Sequence, residues 1–200
     1  MKDIKEYIDE SIFSGNVDIV KNTENVLKQE AIDELAKYIY QYRELKRLGV
    51  RLDLDSKGYV ITCPSNVSGV SIFKFPEKGL KYKISQFVGD KARCLDLRSS
   101  GCVDLTTVFT PDCEFDSRLS INCCDCLTSL EGCPKKVRVF ECQHNRLLNS
   151  IEGAPRECKF FYWAYNGRHS KEKPKKDMEP TIENVQKYLK SKSVIINIEY

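Results

Sequence analysis

Two hundred residues are enough for one domain, with helical appendages, to bury a real core. A formal net charge of +3 is too small to point to nucleic acid or a membrane surface, and no apolar run approaches the roughly 18 residues of a membrane span. The opening Met1-Lys-Asp-Ile-Lys-Glu-Tyr-Ile-Asp-Glu carries charge where a signal peptide needs an unbroken apolar stretch, so the expectation is an intracellular protein whose ten cysteines stay reduced.

In chain order, residues 3–13 read as a short amphipathic helix with Ile4, Ile8 and Ile12 on one face, ended by Ser14-Gly15-Asn16. A longer helix is predicted from about Thr23 to Leu48. Ile32, Leu35, Ile39, Tyr42 and Leu45 form its apolar stripe, and Gly49 is the left-handed residue after its end. Val50-Arg-Leu-Asp-Leu54 and Tyr59-Val-Ile-Thr-Cys63 flank the turn Asp55-Ser-Lys-Gly58 and predict a hairpin. Gly69–Phe75 and Leu80–Ile84 read as a second strand pair around Pro76-Glu-Lys-Gly79. Beyond a polar, basic loop over 167–176, Pro180 suits the first turn of a last helix with Ile182, Val185 and Leu189 on one face. Val194-Ile-Ile-Asn-Ile198 is a candidate closing strand.

The centre of the chain repeats. Leu119-Ser-Ile-Asn-Cys-Cys124-Asp-Cys126-Leu-Thr-Ser-Leu-Glu-Gly132-Cys-Pro134 is matched by Phe140-Glu-Cys-Gln-His-Asn145-Arg-Leu147-Leu-Asn-Ser-Ile-Glu-Gly153-Ala-Pro155. Each aligned pair, such as Pro134 and Pro155, lies 21 residues apart. Phe161-Tyr-Trp-Ala-Tyr-Asn166 opens a third unit at the same interval, and Leu95-Asp-Leu-Arg-Ser-Ser100-Gly-Cys102 precedes Leu119 by 24. A fixed period in this range marks a solenoid, in which each unit buries its apolar face only by stacking on the next. The pairs Leu95/Leu97, Leu119/Ile121, Phe140/Cys142 and Phe161/Trp163 are predicted core. Ser100, Cys124, Asn145 and Asn166 fill a polar position that can satisfy backbone groups at a bend. The same register puts Cys102, Cys126 and Leu147 in one column, and turns Ser120, Asn122, Glu141, Gln143, Tyr162 and Ala164 outward.

Leu127-Thr-Ser-Leu-Glu-Gly-Cys-Pro-Lys-Lys followed by Phe140-Glu-Cys-Gln-His-Asn resembles the degenerate leucine-rich-like repeats of tailed-phage proteins. The opening Met1–Ser11 is similar to the leaders of such proteins, some of which direct the chain into the prohead and are cut after Ile/Leu-x-Glu. Ile8-Asp9-Glu10 fits that cut. The resemblance implies a short, irregular stack acting in the host cytoplasm or in the virion, and it carries no general activity with it.

Four chemistries compete. Zinc would draw on Cys124, Cys126, Cys142 and His144, although clean Cys-x-x-Cys knuckles are missing. A Cys–His nucleophile would pair Cys142 with His144, but the repeat puts Cys142 in the core. Nucleic acid would use the aromatic and basic stretch 160–176, which Glu172 dilutes. A protein partner would meet Tyr162, Tyr165, Arg168, Lys171, Gln143 and Glu141, since aromatic and cationic side chains dominate interface energetics. The expectation is an α+β chain in three stretches. A helical segment occupies 1–49, a β-rich body 50–168 (repeats at about 94–166), and a basic loop with a helix-and-strand cap 169–200. It binds a host factor, a defence protein or a phage structural protein, without cofactor, membrane or catalysis. Nucleic-acid binding and a Cys/His enzyme are the alternatives.

Overall fold

The computed structural model describes residues 17–72, 83–89, 93–98, 104–191 and 193–200. The short helix expected over 3–13, the Ile8-Asp9-Glu10 leader, the turn at Pro76, and Ser100 and Cys102 lie outside these residues. The chain is α+β: helices, then a β-rich body of stacked coils making about four turns, then a helix near the end.

Two helices replace the single one predicted. α1 (Val17–Ala36) and α2 (Tyr42–Arg47) are separated because Ile39 leaves the helical path to bridge Ile72. There the Tyr40 N–H donates to the Ser71 carbonyl at 2.8 Å, and Gln41 takes a φ of 54°. The predicted stripe still faces inward, with Leu35 and Ile39 buried. Gly49, at φ 95°, ends α2 as the spacing predicts.

The hairpin forms as read, β1 (Arg51–Leu54) running antiparallel to β2 (Tyr59–Cys63). Most of the expected second pair, residues 73–82, lies outside the described residues. β3 (Val70–Ile72) and β4 (Ile84–Gly89) belong to different sheets. β2, β4 and β6 (Phe109–Phe115) lie parallel in a four-stranded sheet with β1 at its edge. β3, β5 (Cys94–Arg98), β7 (Arg118–Asn122), β8 (Val139–Gln143), β9 (Phe160–Ala164) and β10 (Ile195–Glu199) form a parallel six-stranded sheet. Each of the first coils runs up a strand of the smaller sheet, turns a corner, and runs up a strand of the larger one.

In the large sheet the repeat register holds to the residue. Leu95, Leu119, Phe140 and Phe161 pair in sequence, as do Leu97, Ile121, Cys142 and Trp163, and all eight are buried. One expected column is displaced. Cys126 is exposed and Leu147 half-buried, while Leu127 and Leu148, one residue on, are fully buried. The cause is a tight turn in which the Leu127 and Leu148 N–H groups donate to the carbonyls of Cys124 and Asn145, at 3.0 and 3.1 Å. The third residue, not the second, therefore swings back to the core.

The far end is closed by a helix. α3 (Ile182–Tyr188) has Thr181 as its N-cap, accepting from the Asn184 N–H at 3.2 Å, so Pro180 sits just outside the helix rather than in its first turn. Val185, Tyr188 and Leu189 face the core, whereas Ile182, expected on that face, is 54% exposed. The Tyr188 hydroxyl donates to the Ala154 carbonyl at 2.9 Å, and the Arg156 guanidinium lies over the Tyr188 ring. The expected closing strand is β10.

Candidate functional site

The outer face of the large sheet carries side chains in rows set by the strand register. One row runs Asp96, Ser120, Glu141, Tyr162, Asn197; the next runs Arg98, Asn122, Gln143, Ala164, Glu199. At the β5–β7 end the rows are knitted by polar contacts. Arg98 Nε donates to Asp96 Oδ2 at 2.6 Å, and Asn122 Nδ2 reaches Ser120 Oγ at 2.6 Å and Asp96 Oδ1 at 3.3 Å. Burial raises the Asp96 carboxyl above its usual range, against the opposing pull of Arg98 and Asn122. Ser120 and Ala164, expected to be accessible, are buried at 2% and 0% exposure because their longer neighbours close over them. Asn122, Glu141, Gln143 and Tyr162 are half-buried, and Arg118 reaches Glu141 at 3.7 Å.

At the C-terminal ends of the strands the chain bends in the same way three times. Cys123, His144 and Tyr165 have φ of 54°, 55° and 53°. Each N–H donates at 3.0 Å to a carbonyl of the neighbouring coil: Gln143, Ala164 and Glu199. A left-handed conformation costs a non-glycine residue about 1–2 kcal/mol. It persists here because the polar position that follows ties each bend down. The bends line up one residue type per coil along the rim. His144 stacks on Tyr165 with ring centroids 5.1 Å apart, and the Arg168 guanidinium lies 5.0 Å from the Tyr165 centroid. Arg146 pairs with Asp125 at 3.3 Å. With Cys123 and His169 these side chains line an open depression.

Glu199 joins the rim to the sheet face. Its carboxylate helps to raise both tyrosine hydroxyls: it is the largest cause for Tyr165, whereas desolvation is the largest for Tyr162. Of the six residues expected at a protein interface, Glu141, Gln143 and Tyr162 thus lie on the sheet face, and Tyr165 and Arg168 on the rim. Lys171 is exposed on the following loop, outside the depression. The composition of the rest of the rim (Cys123, Asp125, Arg146, His169) was not legible as a cluster. The available signal was the residue before each Cys124/Asn145/Asn166 position, where the bend requires positive φ.

The four expected zinc ligands are divided between core and surface. Cys124 is fully buried, its thiol donating to the Leu97 carbonyl at 3.5 Å, and Cys142 is fully buried with its sulfur accepting from Asn145 Nδ2 at 3.2 Å. Cys126 and His144 are exposed. Among the described residues no group of three or more His, Cys, Asp or Glu side chains is arranged to hold a metal ion. Burial pushes the Cys142 thiol far above its ordinary value despite hydrogen bonds from Asn145 and Asn166. It therefore stays protonated in the core, facing away from the rim that holds His144. Among the described residues no helix is long and apolar enough to cross a membrane. No family model, curated protein or solved structure matches the chain.

Proposed function

We propose that this is a non-enzymatic interaction protein of phage type that binds another protein through the rim of its stack. The observation that carries the reading is the rigidity of a half-buried aromatic anchor at the rim. Tyr165 is held from one side by His144 and from another by Arg168, with the Glu199 carboxylate facing its hydroxyl electrostatically. A preordered tyrosine loses little conformational freedom on binding, which is why tyrosine and arginine dominate interface hot spots. Tyr162, Gln143 and Glu141 extend the surface onto the sheet. The partner is a host factor, a defence protein or a component of the particle.

Capture of the tagged protein from a bacterial lysate, at low and high salt and after nuclease, tests the proposal. One stoichiometric protein is expected to survive both treatments with the wild type and to be lost with Tyr165→Ala/Arg168→Ala, in which no buried group is disturbed. Recovery of nucleic acid alone, lost at high salt, would replace this reading with binding through the aromatic and basic stretch 160–176.

A further inference from the structure

The opposite ends of the strands form a second surface that the rim does not explain. Where the coils turn the corner into the large sheet, Asp116, Val137 and Cys158 stack in successive coils. The residues after them interlock through the backbone: the Arg138 N–H donates to the Ser117 carbonyl and the Lys159 N–H to the Arg138 carbonyl, at 3.0 and 2.9 Å. A groove of about 460 Å³ runs along these corners, within the size range of small-molecule sites. Its floor is apolar, made by Phe115, Val137 and Cys158, all nearly buried.

Its walls are cationic. Lys136, Arg138, Lys159 and Lys190 line it against only Asp116 and Glu157. Asp116 is already engaged, accepting from the Gly89 N–H at 3.0 Å. Elsewhere on the chain Lys28, Lys175 and Lys187 each pair with a carboxylate. Among the described residues, none of the four groove cations has such a partner within 4.0 Å. Arg138 also holds its Nε buried with no hydrogen-bond acceptor, an arrangement that native proteins rarely leave unanswered.

We propose that this corner groove binds a small amphiphilic anion, a carboxylate or phosphate on an apolar body. The head group accepts from Arg138 and from the lysines beside it, and the body lies on Phe115, Val137 and Cys158. An apolar floor alone would accept neutral ligands, and a cationic wall alone would accept any phosphate. The two together select a molecule with both ends.

Fluorescence titration with anilinonaphthalene sulfonate, an aromatic body bearing one fixed negative charge, tests this. One saturable site per chain is expected, displaced by decanoate but not by inorganic phosphate at the same concentration. Affinity is expected to fall about tenfold in Arg138→Gln and by at least as much in Lys159→Gln/Lys190→Gln, whose two residues are exposed and leave folding intact. Tyr165→Ala should bind the dye as the wild type does, which separates this groove from the rim. Equal affinity in the lysine double variant, or absence of saturable binding, would overturn the proposal. Displacement by phosphate as effective as by decanoate would overturn the role of the apolar floor.

Discussion

Asn145 has no exposed surface, and its amide ties its coil to both neighbouring coils at once through three hydrogen bonds. Its Oδ1 accepts from the Cys124 N–H at 2.9 Å, while its Nδ2 donates to the Ile121 carbonyl at 2.9 Å and to Asn166 Oδ1 at 3.0 Å. Asn166 repeats the pattern one coil on, accepting from the Asn145 N–H and donating to the Cys142 carbonyl. Cys124 completes the column with sulfur in place of nitrogen, its thiol meeting the Leu97 carbonyl. The sequence announced this column, because a polar residue at a fixed place in an apolar repeat has to be satisfying backbone. Cys124 was placed in the same column, and its thiol does satisfy a backbone carbonyl there. Asn145→Ala strands one buried N–H and one buried carbonyl, each costing about 1–3 kcal/mol. A loss of about 3 kcal/mol in urea unfolding is expected, and a loss below about 1 kcal/mol would mean that water enters the column.

Between strands, the turns set how closely the coils stack. Gly132 and Gly153 both have φ of 86° and lie against backbone of the preceding coil: a Cβ on Gly153 would come within 2.5 Å of the Leu130 carbonyl carbon, and one on Gly132 within 2.5 Å of the Thr106 nitrogen. Gly49 has a similar φ of 95°, but a Cβ there meets nothing nearer than Pro64 Cγ at 3.2 Å. The two sites separate conformational strain from collision. Gly49→Ala is expected to cost about 1 kcal/mol, whereas Gly153→Ala must also push two coils apart and is expected to cost at least about 3 kcal/mol, both read from urea midpoints. Similar costs would show that the turn shifts without disturbing the stack. The strands β7, β8 and β9 were legible because three copies share one spacing, and the Gly-x-Pro turns because two copies do. The break between α1 and α2 was not: an unbroken helical stripe ran through it, and only the demand of the β3 edge for a partner at Ile39 draws the chain out of the helix.

Across the whole molecule, coil length decides architecture. Val70 pairs with Leu95, 25 residues on; Leu95 pairs with Leu119 after 24; Leu119 with Phe140 and Phe140 with Phe161 after 21. The longer coils have room for a strand in the small sheet, and the shorter ones replace it with the Gly-x-Pro turn, so the small sheet stops at β6 while the large sheet continues. That second sheet was invisible to a search for one period, because its strands belong to the coils that depart from it. The result is a continuous core threaded with thiols. Burial pushes Cys63, Cys94 and Cys113 up to about 12 and Cys158 to about 11, and holds Cys133 well above its ordinary value. In the unfolded chain each ionises near 8.5. Below about pH 8 both states hold these protons, and the thiols give stability no pH dependence. Above about 9 the unfolded chain releases protons that the folded chain keeps, so stability falls with rising pH, by up to about 1.4 kcal/mol per pH unit for each thiol that stays protonated in the fold. Several acting together are expected to produce a steep, cooperative loss of the circular dichroism signal between pH 9 and 11, and Cys113→Ala should flatten it. A stability that holds level to pH 11 would mean that these thiols ionise in place and the core admits water.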